Sequence, residues 1–399
     1  MYGAQLIEAL RRAFGSEPRA SMSNAASLPS AGTGEAPVPT REFPGSPEFF
    51  GVGGERMQAA GCDTVVDAKD LSVVGITEIL SHLPRIWGLF RKLIVEADKR
   101  RPDLAVVIDS PAFNWRVARA MKQRGIPVVY YVAPQFWAWR QGRVRLLRKY
   151  VDKALVIFPF EEQFYRERGV DASFVGHPLA DLPFPAISRW DYAIQNQLEP
   201  GKPWITLMPG SRVKEVRMNL PTILGSAAKL GPQNEYLLPV APTLDRGFIE
   251  AFVKQKPGGI SVRTVGEALP ALYHSRAGIV ASGTATVEAA MMGTPFVMVY
   301  RVSPLTYRLG KPRVKVPFFA MVNLIAGREV VPELVQHDFT AENVARRLGG
   351  ILPDGPAREN MLKGLAEVKA SLRGPDMGIS PPADRAAEAI LGLFHPAAK

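Results

Sequence analysis

Cysteine is nearly absent: Cys62 is the only one in 399 residues. That excludes a disulfide framework and suits a reducing compartment. No stretch is apolar enough for long enough to span a bilayer. The best candidate, residues 71–95, is interrupted by Glu78, His82, Pro84, Arg85, Arg91 and Lys92. The N-terminus has no charged-then-apolar leader pattern. There is no Asp-x-Asp clamp, no His or Cys grouping at zinc spacing and no Walker loop, so the motifs imply neither a metal nor a cofactor. No repeat of 20–50 residues occurs. Acidic residues are outnumbered, 38 against 49 basic, for a net charge of +11. The excess favours phosphorylated ligands, an anionic membrane surface or nucleic acid. Nucleic acid is the weakest of these, because the basic residues are scattered among α/β elements and no nucleic-acid-binding motif is present.

What is present is a 47% hydrophobic chain, long enough for two ordinary domains. Its organising stretch is Ala277 to Tyr300, AGIVASGTATVEAAMMGTPFVMVY, which predicts strand, polar turn, helix, strand. Such a unit aims backbone N–H groups and a helix N-terminus at the carboxyl edge of a parallel sheet, where an anion is the expected guest. Ser282, Gly283, Thr284 and Thr286 would form this diphosphate site. The alternative is that the hydroxyls only cap the helix. Glu288 lies four residues after Thr284 and two after Thr286, which does not match a capping box.

In chain order, residues 1–14 predict a helix and 15–48, rich in Ser, Pro, Ala and Gly, a disordered insertion. FFGVGG, from Phe49, predicts a strand and glycine turn. Residues 71–96 predict helix with a break near Pro84 and an unusually dense apolar set that includes Ile86, Trp87 and Phe90. These fit either a buried helix pair or an acyl-chain or membrane-facing surface. Strand and helix then alternate to residue 176, as in a doubly wound parallel sheet. Residues 177–202 break the rhythm, and a second α/β run follows, closed by three helices. The implied division is a first α/β domain over 49–178, a linker over 179–202, a second α/β domain over 203–372 and a closing helix in 373–399.

MPGSR, Met208 to Arg212, follows the first strand of the second run. Gly210 permits close backbone approach, and Ser211 and Arg212 can bond phosphate. Asp109 stands at the carboxyl end of an earlier strand, where a carboxylate acts as a general base or caps the next helix. Gln135, Trp137 and Trp139 close the next strand, placed to meet a sugar or to pack. Residues 302–319 carry Lys311, Arg313 and Lys315 without an acidic residue, followed by Phe318 and Phe319. That suits an anionic bilayer surface or a solvated loop.

Taken together, VVIDSPAFN, PQFWAWR, VGHPL, MPGSR, ASGTATVEAAMMGTP and MVNLIAGRE resemble the lipid-A-disaccharide synthases, in family order from about Phe49 onward. The resemblance implies a GT-B fold, two Rossmann-like doubly wound domains facing a central cleft. It implies an inverting transfer from UDP-2,3-diacylglucosamine to 2,3-diacylglucosamine 1-phosphate, with no metal in the chemical step. The site would be peripheral on the cytoplasmic face of the inner membrane, and a homodimer is compatible with the family. Asp109 would be the base. Gly210, Ser211, Arg212 and the Ser282–Thr286 turn would hold the diphosphate. Glu288 would take the ribose, and Asn323 and Gln135 would line the cleft. Ile86, Trp87, Phe90, Lys311, Arg313, Lys315, Phe318 and Phe319 would face lipid. The family opens with a strand and a glycine-rich loop, and this chain begins inside that motif, so the first domain is expected to lack its first strand. The competing readings are a non-catalytic UDP-sugar binder at the membrane surface and a UDP-N-acetylglucosamine 2-epimerase.

Overall fold

The computed structural model describes residues 2–15, 47–72, 79–254, 259–311, 314, 316–374 and 379–394. Residues 16–46 of the predicted insertion, Arg313 and Lys315 lie outside the described residues. Twelve strands are described: β1 Phe49–Gly53, β2 Cys62–Asp67, β3 Ala105–Ile108, β4 Val128–Tyr131, β5 Lys153–Val156, β6 Ala172–Phe174, β7 Trp204–Met208, β8 Glu235–Pro239, β9 Ser261–Val265, β10 Ala277–Ala281, β11 Phe296–Tyr300 and β12 Glu333–Val335.

The second half is a six-stranded sheet in the order β12-β11-β10-β7-β8-β9, parallel at every pairing. Its central strands read as unbroken apolar runs because helices cover both faces, and β10 and the first four residues of β11 are wholly buried. The chain winds outward from β7 to β9, then returns to start again at β10. β7 and β10 are therefore neighbours whose connections leave in opposite directions. Their carboxyl ends form the switch point of the sheet, the usual ligand crevice of an open α/β fold.

The first half is parallel too, but it forms two sheets, β1-β2 and β3-β4-β5-β6. Phe50 to Val52 on β1 and Leu104 to Ile108 around β3 line one cavity of about 510 Å³ between them. Strand β3 is only partly covered, whereas its neighbour β4 is buried throughout. The helix Tyr2–Gly15 buries Leu6 and Leu10 and packs along the last described helix, Pro382–Leu391, with Arg12 bonded to Asp384 at 2.5 Å. The end of the chain thus returns to its beginning.

Three expectations change. Pro84 does not break its helix, which runs from Ile79 to Arg100 with the proline inside its first two turns. Strand β2 was not predicted: its residues CDTVVD hold only two adjacent valines between polar residues. The proposed linker contains a helix, Arg189–Asn196, started by Ser188 Oγ accepting from the Asp191 N–H at 3.1 Å.

Candidate active site

Asp109 follows β3 directly. Its N–H continues the ladder to the Tyr131 carbonyl at 3.1 Å, and its own carbonyl accepts from Asn114 Nδ2 at 2.6 Å and the Tyr130 hydroxyl at 2.8 Å. The main chain is fixed on three sides while the side chain stays exposed, and among the described residues no hydrogen bond or ion pair is recorded for its carboxylate. Capping is not its role: Ser110 occupies the cap position of the helix Pro111–Gln123, and no side chain caps it. Asp109 (φ 46°) and Ser110 (φ 42°) both sit in the left-handed region, and Val132 (φ 56°) does so at the end of the adjacent β4. For the β-branched valine this is costly, of order 1–3 kcal/mol. Backbone strain therefore gathers at the carboxyl ends of two neighbouring strands, around the exposed Gln135 and the solvent side of Asp109.

The switch point of the second sheet carries two turns, after β7 and after β10. Gly210 has φ 116°, and a Cβ there would come within 2.6 Å of Glu215 Oε2. That carboxylate folds back over the turn. It accepts the Ser211 N–H at 3.1 Å and pairs with Arg212 at 2.8 Å, leaving the Arg212 side chain 80% exposed. Glu215 was not singled out in the sequence, because only the fold brings it onto the turn. Gly283 (φ 132°) starts the helix Thr284–Met292 without a side-chain cap, and Gly293 ends it in the left-handed conformation. Gly283 and Thr284 are exposed. Ser282 Oγ donates to the Phe319 carbonyl at 2.9 Å.

Glu288 is half-buried on that helix. Burial raises its carboxyl above the ordinary range. Tyr2 lies on the helix Tyr2–Gly15, and its ring meets Tyr131 edge-on at 6.5 Å. Its phenol is raised by burial and then by the charges of Asp109 and Glu288.

Four groups of predicted residues take other roles. Asn323 is fully buried and saturated. Its Nδ2 donates to the Val331 carbonyl (2.9 Å) and Glu333 Oε1 (2.8 Å), and its Oδ1 accepts from the N–H groups of Val330 (2.8 Å) and Val331 (3.0 Å). Those four bonds exhaust an amide, so it pins a loop and has nothing left for substrate. Thr286 is also fully buried, its hydroxyl returned to the Gly283 carbonyl at 2.8 Å. Ile86 and Phe90 pack inward, Phe90 edge-on to Phe113, and leave Trp87, 52% exposed, as the outward residue of that set. Phe319 stacks on Tyr300 at 5.7 Å and packs against the core; Phe318 is half-buried and Lys311 exposed. Among the described residues no three His, Cys, Asp or Glu side chains stand where they could share a metal ion.

Solved structures place the fold. The glycotransferase of kitacinnamycin superposes with a TM-score of 0.59 at 14% identity, covering 98% of this chain and 96% of that one. The UDP-GlcNAc 2-epimerase from Neisseria meningitidis bound to UDP-GlcNAc gives 0.54 at 12% identity, covering 87% and 99%. The architecture is thus α/β and GT-B-like, with parallel sheets shared by glycosyltransferases and these epimerases. Sequence separates the two groups. The family model for lipid-A-disaccharide synthetase matches residues 40–373. The lipid-A-disaccharide synthase of Koribacter versatilis is 52% identical over 393 residues, 98% of this chain and 95% of its own length. That of Myxococcus xanthus is 43% identical over 354 residues, 87% and 90%. With nearly the whole chain aligned to these enzymes, it belongs to the lipid-A-disaccharide synthase family and is a glycosyltransferase of lipid A biosynthesis.

Proposed function

We propose that the transfer takes place between Asp109 and the two turns of the second sheet. The observation that carries this reading is the exposed Asp109 carboxylate at the carboxyl end of β3, together with the Gly210 and Gly283 turns that follow the adjacent strands β7 and β10. The donor is UDP-2,3-diacylglucosamine and the acceptor 2,3-diacylglucosamine 1-phosphate. The Asp109 carboxylate takes the proton of the acceptor 6-hydroxyl as that oxygen attacks the donor's anomeric carbon from the face opposite UDP. The bond from that carbon to the diphosphate oxygen breaks and the configuration inverts. Charge growing on the departing UDP is met by Arg212, by the backbone N–H groups at Gly283 and Thr284 and by the positive end of their helix. Ser211 and Ser282 border the diphosphate, and Glu288 accepts from the ribose hydroxyls. Gln135 orients the acceptor.

In this reading the two halves are Rossmann-like units over about 49–178 and 203–372 facing a cleft, and the final helix belongs with the first unit, against which it packs. The gap between β1 and β3 is the place of one further strand in a single first sheet. The enzyme works as a peripheral protein on the cytoplasmic face of the inner membrane, with Trp87 and the basic segment beginning at Lys311 toward the lipid; a homodimer is compatible with it.

The test is UDP release from the acylated donor, with and without acceptor, by the wild type and Asp109→Ala. The wild type should release UDP only with acceptor. The variant should lose turnover by roughly a thousandfold, as for removal of a general base, while UDP affinity by calorimetry stays within about twofold. Normal turnover by Asp109→Ala would sink the assignment of the base.

A further inference from the structure

Gln135 is carried on a segment, residues 133–139, that leaves β4 through the strained Val132. The helix Pro159–Arg166 holds that segment from behind. The Tyr165 hydroxyl donates to the Pro134 carbonyl and accepts from the Phe136 N–H at 3.4 Å. One turn earlier on the same helix, Glu161 is wholly buried. Its Oε1 takes the Trp137 indole N–H at 2.8 Å, and its Oε2 takes the backbone N–H groups of Ile157 and Phe158, both at 3.1 Å. Three donors surround it, so the site suits a carboxylate, whereas an acid or an amide would bring a hydrogen against a donor. The titratable groups nearby are neutral. Tyr165 lies on its own helix, its phenol raised by burial, and His177 packs on the Phe158 ring at 5.2 Å, its imidazole kept uncharged by burial. Among the described residues no cation pairs with Glu161.

We propose that Glu161 is a positioning residue for the transfer: as a carboxylate it anchors the Trp137 indole and so holds the 133–139 segment with Gln135 facing the acceptor beside Asp109. This rests on the acceptor-side reading of Asp109 and Gln135. Protonation removes an acceptor from the Trp137 indole or from the backbone pair, and the segment loosens. Burial pushes the Glu161 carboxyl up to about 7, its three hydrogen bonds opposing a further rise, so the change falls near neutral pH.

The experiment measures kcat/KM for the acceptor between about pH 5.5 and 8.5 for the full chain, as wild type, Glu161→Gln, Trp137→Phe and Gln135→Ala. The wild type should lose rate on the acid side of about 7. Glu161→Gln should be lower by roughly tenfold at alkaline pH, an orientation loss, and should lack that acid limb. Its UDP affinity should be unchanged. Trp137→Phe removes the link between Glu161 and the segment, so it too should lose roughly tenfold at alkaline pH and lack the acid limb, a change that a merely structural contact would not produce. If Gln135→Ala turns over as wild type at every pH, the acceptor-side reading fails. If Gln135→Ala is impaired while Glu161→Gln keeps the wild-type rate and limb, the positioning role is wrong. Should Glu161→Gln fail to fold, Trp137→Phe decides: a retained acid limb overturns the inference.

Discussion

Replacing Asn323 separates two accounts of one side chain. As a polar group of the cleft it would matter to substrate and little to stability. As the structure has it, the amide satisfies the N–H groups of Val330 and Val331 and the Val331 carbonyl, and supports Glu333, which in turn accepts from the N–H groups of Phe319 and Ala320 at 2.9 Å. Asn323→Ala leaves two backbone donors without partners at buried residues. Each orphaned donor costs about 1–3 kcal/mol, so the variant should lose roughly 2–6 kcal/mol. Asn323→Asp keeps the shape but sets a second carboxylate against Glu333 with no donor between them, and should lose at least as much. Urea unfolding followed by circular dichroism measures both. A loss below about 1 kcal/mol in Asn323→Ala, together with weaker substrate binding, would refute the structural role.

The remaining predictions concern charge. Glu215→Gln frees Arg212 and removes a negative charge from the Gly210–Arg212 turn, so UDP should bind up to about fivefold tighter, the scale of an exposed ion pair; weaker binding in calorimetry would mean that Glu215 shapes the turn rather than competes for it. Burial lowers the His177 imidazole to about 4, so its contribution is present above the unfolded value near 6.5 and is lost as pH falls through 4. Wild type should therefore lose roughly 3 kcal/mol more than His177→Gln across that window. Glu161 runs the other way: raised from 4.5 to about 7, its contribution is present below 4.5 and lost as pH rises through 7. Glu161→Gln should gain on wild type between about pH 5 and 8, and a parallel pair of stability curves would refute the shift.

Much of this was legible in the residues. The stretch Ala277 to Tyr300 is strand, turn, helix and strand as its pattern predicts. Hydrophobic runs mark strands of a parallel sheet because those strands are buried on both faces. Legibility failed where a partner distant in sequence decides the role. Asn323 lies in a motif, and only Val330, Val331 and Glu333 show it to be an internal brace. Phe90 and Phe319 follow apolar or basic patterns that fit a lipid surface, yet Phe113 and Tyr300 meet them from other elements. Glu161 and Glu215 sit in ordinary helix-start positions, and their functions come from the loops folded over them. The strand order that puts the MPGSR turn beside SGTAT is a property of crossovers, which local pattern does not record.

The pairing of the first helix with the last has a consequence for how the enzyme is made. Arg12 and Asp384 are separated by 372 residues. A ribosome adding about 5–20 residues per second takes roughly 20–75 s between them. Throughout that interval the buried face of the Tyr2–Gly15 helix lacks its cover, and the second sheet, whose own contacts are nearer in sequence, can close before it. The Tyr2–Gly15 helix is therefore made early and gains its full cover only after the C-terminal helix has been synthesised.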